Sequence, residues 1–143
     1  MENIQVSTRL RPLSKKELSS QEKDIWQINQ THNKIDLLLE YKKLFNRSQK
    51  SSFIFDHCLP TYFTNEDIYL KTIRDLMFDS LEGINSTIFV YGQTGSGKTH
   101  TMLGPKEETN EKQGQNEKGV VGLGLRDLFD RLEMVMNKIK CYP

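Results

Sequence analysis

The run GQTGSGKT, Gly92 to Thr99, constrains this chain more than any other feature. It satisfies the pattern G-x-x-x-x-G-K-[ST] at Gly92, Gly97, Lys98 and Thr99, the signature of a loop that wraps phosphate. Glycines remove the Cβ atoms that would block a tight turn, so successive N–H groups of Gln93, Thr94, Gly95, Ser96 and Gly97 can point inward at phosphate oxygens. Lys98 is placed to reach the β and γ phosphates, and the Thr99 hydroxyl to ligate magnesium. The flanks agree with that reading. Thr87 to Tyr91 is an apolar run bounded by turn residues, the pattern of a strand buried on both faces of a parallel sheet, and a helical segment follows the loop. A glycine-rich turn that binds nothing is the competing reading, and the strand, loop, helix context favours the nucleoside triphosphate site.

At 143 residues, with 36% hydrophobic and 27% charged residues, the chain has the make-up of one globular domain rather than of a disordered segment. Twenty basic residues against nineteen acidic ones leave no electrostatic footprint for nucleic acid or an anionic membrane. Cys58 and Cys141 are too few for a disulfide framework or a four-ligand zinc site, which favours a reducing, cytosolic setting. No run approaches the roughly 18 apolar residues of a membrane span, and the N-terminus lacks the apolar stretch of a signal peptide.

Ile4, Val6, Thr8 and Leu10 alternate with polar residues up to Pro12, which predicts a half-buried strand with Arg9 and Arg11 on one face. Residues 13–24 read as loop, and Ile25–Ile28 with Ile35–Leu39 as a hairpin turning at Thr31, His32 and Asn33. A basic polar loop is expected over Lys42–Ser51 and a short strand over Phe53–Phe55. A helix is expected from Asn65 to Leu81, N-capped by Thr64 and stopped by Gly83, and a second around Leu125, Leu128, Phe129, Leu132, Val135, Met136 and Ile139. Both are expected to pack a core. Residues 105–118 hold no apolar side chain and read as a solvated loop.

Cleavage of a triphosphate also needs a carboxylate that holds magnesium and a group that orients water. Asp56, closing the run SFIFD, has the look of such a carboxylate, yet apolar strands commonly end in Asp at a turn, and the turn reading is preferred.

Four stretches together resemble the N-terminal portion of a kinesin motor domain: RLRP at Arg9–Pro12, FIFD at Phe53–Asp56, SLEGINSTIFVYGQTGSGKTHTM at Ser80–Met102, and GVVGLGLRDLF at Gly119–Phe129. They stand in the family's order, and the third extends the phosphate loop on both sides with the family's own residues. The resemblance is to the family and not to one branch of it.

The resemblance implies an α/β fold of the P-loop NTPase kinesin-motor type, a mixed central sheet flanked by helices, with residues 1–143 as its N-terminal part and the C-terminal part absent. It implies ATP with Mg2+ as cofactor, microtubule-stimulated ATP hydrolysis as the parent activity, and a cytoplasmic, cytoskeletal location. Tubulin would be met through segments beyond this chain. It also implies that Arg9, Arg11 and Pro12 border the adenine and that His100 faces the base, where residue patterns alone read a solvated strand face and a helix-surface histidine. Gly122 and Leu123 depart from the family's Pro and Arg, which leaves helix entry less fixed. The family's N-x-x-S-S-R-S-H and D-L-A-G-x-E stretches are not found, so no catalytic residue beyond Lys98 is expected here. A strand such as Thr87–Tyr91 would then lack neighbours, and a truncated product is expected. Two other readings stand beside the motor: a nucleotide-binding remnant without turnover, and an unrelated small P-loop kinase, which would need an arginine-bearing lid where only Arg126 and Arg131 follow the loop.

Overall fold

The computed structural model describes residues 4–42, 51–105 and 118–140, and the chain divides into two units, Met1–Tyr62 and Phe63–Pro143. In the first unit, β1 (Ser7–Arg9) pairs in parallel with β5 (His57–Leu59). The Val6 N–H donates to the Asp56 carboxylate at 2.7 Å at one end of this ladder, and the Leu10 N–H to the Leu59 carbonyl at 3.0 Å at the other. Three further strands, β2 (Trp26–Asn29), β3 (Lys34–Leu37) and β4 (Ser52–Ile54), form an antiparallel sheet in that order.

The expected hairpin is present between β2 and β3. Its turn is a single 3-10 helix, Gln30–His32, closed by Asn33 in the left-handed region at φ 46°, a conformation asparagine tolerates better than most residues. The strand expected to run to Leu39 ends at Leu37, because Leu39 begins the one-turn helix α2 (Leu39–Lys42). Ile4 and Val6 lie exposed ahead of β1, so the alternation at the N-terminus buries less than its pattern promises. Ile35, Leu37, Cys58 and Leu59 form the buried centre of this unit. Burial pushes the Cys58 thiol above its ordinary range, which keeps it protonated and unreactive.

Residues 13–24 are not all loop. Helix α1 (Lys15–Ser19) starts on a capping box, with Ser14 Oγ accepting from the Glu17 N–H and the Glu17 carboxylate accepting from the Ser14 N–H. The signal S-x-x-E is in the sequence but has no apolar periodicity behind it, so a pattern reading passes over it.

In the second unit, α3 (Asn65–Thr72) and α4 (Arg74–Leu81) replace the single helix expected from Asn65 to Leu81. The break is local. Ile73 departs to φ −121°, yet its N–H still reaches the Tyr69 carbonyl at 3.0 Å and its carbonyl accepts from Met77 at 3.1 Å. Thr64 caps α3 as expected, in a box with Asp67, whose bonds to Thr64 hold its carboxyl below the usual range. Gly83 at φ 89° ends α4. Helix α5 (Lys98–Leu103) leaves the phosphate loop, and α6 (Val120–Lys140) is the longest element.

Four expectations change here. No ladder pairs with Thr87–Tyr91 among the described residues; Phe89 is 89% and Tyr91 100% exposed, so the run is neither strand nor core. A strand needs a partner as well as a pattern. Among the described residues the strands form two ladders, one parallel and one antiparallel, and no ladder joins them into the one mixed central sheet expected. Helix α6 starts ahead of Gly122 and Leu123, so its entry is set before them and Leu123 is buried. Its first turn packs, with Val120 and Leu123 buried, while the stripe of Leu125, Phe129, Leu132, Val135 and Met136 lies exposed. Residues 43–50 and 106–117, which carry most of the two expected polar loops, lie outside the described residues, as does Cys141.

The core of the second unit is Ile68, Tyr69, Ile73, Val120 and Leu123, with the polar Asn65 buried among them. Tyr69 Oη donates to Asp127 at 3.0 Å, joining α3 to α6, and the Arg74 guanidinium lies 3.6 Å from the same carboxylate. Burial first, then the bond to Asp127, pushes the Tyr69 phenol up to about 12. A phenol raised in the folded state contributes stability below its ordinary pKa of about 10 and loses it as pH climbs toward 12. Tyr69→Phe is therefore expected to cost about 1–2 kcal/mol in urea unfolding at neutral pH. The cost should shrink above pH 10, and the phenolate absorbance missing from the variant should titrate near 12.

Candidate phosphate-binding site

Gly92–Thr99 lies wholly in the second unit. Three of its glycines sit in backbone conformations that a side chain rarely adopts: Gly92 at φ 154°, Gly95 at 82° and Gly97 at 92°. A Cβ at Gly92 would come within 2.7 Å of Ser96 Oγ, so the loop is also too narrow there for one. Between them the Ser96 N–H closes on the Gln93 carbonyl at 3.2 Å. Lys98 then folds back across its own loop, its ammonium donating to the Gly92 carbonyl at 2.7 Å and the Gln93 carbonyl at 2.9 Å. The loop is thus a closed ring with a cation built into it.

The other capped helices of the chain supply a comparison. Ser14 and Thr64 each turn an oxygen onto their own first-turn amides, which satisfies those donors from within. Gly97 caps α5 and brings no such oxygen. Its carbonyl instead accepts from the Thr101 N–H at 2.9 Å and the Thr101 hydroxyl at 3.1 Å. Over six residues the macrodipole of α5 is small, so the Lys98 ammonium is the larger positive charge at this loop. Thr99 is exposed in the first turn of α5. Among the described residues no group of three His, Cys, Asp or Glu is gathered as a metal site. The residues present fit a magnesium-bound polyphosphate.

His100 is exposed on α5 next to the loop. Arg9, Arg11 and Pro12 stand in the first unit. Arg11 grips Glu17 through both terminal nitrogens, at 2.7 and 2.5 Å, and also donates to the Pro12 carbonyl at 2.9 Å. That fork holds the Glu17 carboxyl far below its usual range and raises the guanidinium. Asp56 is taken up by the Val6 amide, a strand-locking turn residue as preferred from sequence. A groove of about 450 Å³ in the first unit is lined by Gln27, Ile28, Asn29, Gln30, Asp36, Pro60 and Tyr62. It offers amides and a carboxylate but no cation, a poor seat for phosphate.

Sequence reading missed what supports the loop from behind. Asn65 is 0% exposed, and its Nδ2 donates to the His100 carbonyl in α5 at 3.0 Å. On the far side, a Cβ on Gly119 would lie 2.3 Å from the Met102 carbonyl oxygen and 2.4 Å from the Gly104 nitrogen, so backbone rests directly on backbone. No periodicity or motif connects residue 65 to residue 100. Only the packed structure reveals the pair.

The family model of the kinesin motor domain matches residues 9–142. The chain is similar to the kinesin-like protein KIN-7N of Arabidopsis thaliana, 32% identical over 138 residues that make up 96% of this chain and 15% of that protein. It is 36% identical to the kinesin-like protein KIF24 of Homo sapiens, over 94% of this chain and 9% of that protein. Against the kinesin-like protein NACK1 of Nicotiana tabacum the identity is 39%, over 75% and 11%. The chain thus spans less than a sixth of the length of these curated relatives. No helix among the described residues is long and apolar enough to cross a membrane.

The contact at Gly119 makes a prediction of opposite signs at two neighbouring glycines. Gly119→Ala forces backbone apart and should cost about 1–3 kcal/mol in chemical unfolding. Gly122→Ala, inside α6 with nothing nearer than the Lys118 Cβ at 3.8 Å, should gain about 0.5–1 kcal/mol. Equal effects would mean that α5 does not sit on Gly119.

Proposed function

The chain belongs to the kinesin motor-domain family, and we propose that Gly92–Thr99 is the ATP-binding loop of a microtubule motor. The observation that carries this reading is the closed loop itself, with three glycines at positive φ and the Lys98 ammonium fixed to its carbonyls. In this reading the amides of Gln93, Thr94, Gly95 and Gly97 receive the phosphate oxygens, and that of Ser96 joins them by leaving the Gln93 carbonyl. Lys98 exchanges carbonyl partners for phosphate ones, trading neutral acceptors for charged ones that bind it about twice as strongly. Thr99 ligates magnesium. When bound, the ion would supply positive charge that offsets the charge of the phosphates.

Arg9, Arg11, Pro12 and His100 are proposed to border the adenine. Arg11 contributes its apolar stem, since its guanidinium is already held by Glu17. An imidazole against a purine is a favourable aromatic pair, which supports the place of His100. These groups bind and orient the nucleotide. Hydrolysis, and its coupling to movement along microtubules, are proposed for the whole protein, of whose relatives this chain spans a small share. The small-kinase reading falls away with family membership. Binding without turnover would show as ATP uptake with no phosphate release.

The test is calorimetric titration of the purified protein with Mg·ATP. Lys98→Ala should weaken binding by about ten- to a hundredfold, the range of one charge-assisted bond. Unchanged affinity would contradict the assignment.

A further inference from the structure

We propose that Asn65, outside the phosphate loop and 35 residues away from its partner, is a positioning residue that sets the affinity of the loop for a nucleoside triphosphate. The inference rests on the reading of Gly92–Thr99 given above.

Asn65 begins α3, and its base is rigid. Thr64 and Asp67 close a capping box around it: Asp67 Oδ2 accepts from the Thr64 N–H at 2.9 Å, and Thr64 Oγ1 accepts from the Asp67 N–H at 3.1 Å. The face is fixed too. Asn65, Ile68 and Tyr69 follow at the spacing of one helical stripe, exposed by 0%, 3% and 2%. Tyr69 is tied through its hydroxyl to Asp127 of α6. The carboxamide therefore extends as a two-torsion arm from the buried face of a capped helix.

The other end of the arm meets α5 at the residue that follows the loop. The His100 carbonyl accepts both the helical bond from the Gly104 N–H, at 3.0 Å, and the Asn65 amide, at 3.0 Å. A buried carboxamide that only filled space would favour replacement by an apolar side chain, since desolvating it is costly without partners. Its donor is instead spent on the backbone of a six-residue helix that is unstable alone. Gly119 supports that helix at its C-terminal end and Asn65 at its middle. Loss of the Asn65 donor lets α5 shift. The fraction of molecules with loop amides converging on phosphate falls, and apparent affinity falls with it.

The experiment compares Mg·ATP affinity and amide hydrogen exchange in the parent protein, Asn65→Asp, Asn65→Ala and Tyr69→Phe. Asn65→Asp keeps the shape and turns an acceptor toward the His100 carbonyl; Asn65→Ala removes the donor without adding charge, and carries the test if the carboxylate prevents folding. Tyr69→Phe is the control, because it removes another buried bond of the same unit and leaves α5 untouched. Both Asn65 variants should bind Mg·ATP about tenfold more weakly, the size of one buried hydrogen bond, with faster exchange at Thr101–Gly104. Tyr69→Phe should lower global stability and keep affinity within about twofold. A parent that binds, with Asn65→Ala binding equally well, overturns this inference alone. A parent that takes up no Mg·ATP overturns the loop assignment and this inference with it.

Discussion

A helix of six residues cannot hold its own shape in water, and α5 is such a helix; the loop in front of it takes its form from what packs behind it. Two contacts do this. The Asn65 amide reaches the His100 carbonyl from one side, and the Gly119 backbone presses on Met102 and Gly104 from the other. The Tyr69 hydroxyl and Asp127 join α3 to α6 elsewhere in the same unit, without touching α5. The loop's own brace is the Lys98 ammonium on two carbonyls, and the rest of the bracing comes from its neighbours.

Within the loop, the same economy of side chains sets the chemistry. Ser14 and Thr64 satisfy their own helix starts, and in doing so make those starts indifferent to ligands. Gly97 leaves its helix start without an internal acceptor, and Lys98 supplies positive charge from within the ring. The cation holds the loop through two carbonyls, which keeps its charge inside the ring.

Local signals were legible in the sequence where a residue's role is set by its near neighbours. Thr64 as a cap, Gly83 as a stop, Asn33 at a hairpin turn and Asp56 as a strand end all depend on the residues beside them. The tight glycine turns at Gly92, Gly95 and Gly97 belong to the same class. Thr87–Tyr91 failed for the opposite reason: its apolar run is a true strand pattern, but strand structure requires a second segment, and among the described residues none pairs with it. The kink at Ile73 leaves hydrogen bonds on both sides in place, so no proline or glycine marks it. Asn65 was illegible for a similar reason, since its partner is a backbone carbonyl, and every residue type has one. The apolar stripe of α6 shows the limit of periodicity as well, for it fixes the helix but not which part of it is covered.

The central claim is that phosphate is received by the backbone amides of this loop. Amide chemical shifts during titration with Mg·ATP, and separately with AMP, test it most directly. The shifts of Gly95, Ser96, Gly97, Lys98 and Thr99 should move with Mg·ATP and stay nearly still with AMP, which lacks the β and γ phosphates. Shifts confined to the amide-lined groove of Gln27–Tyr62, with the loop unmoved, would contradict the account.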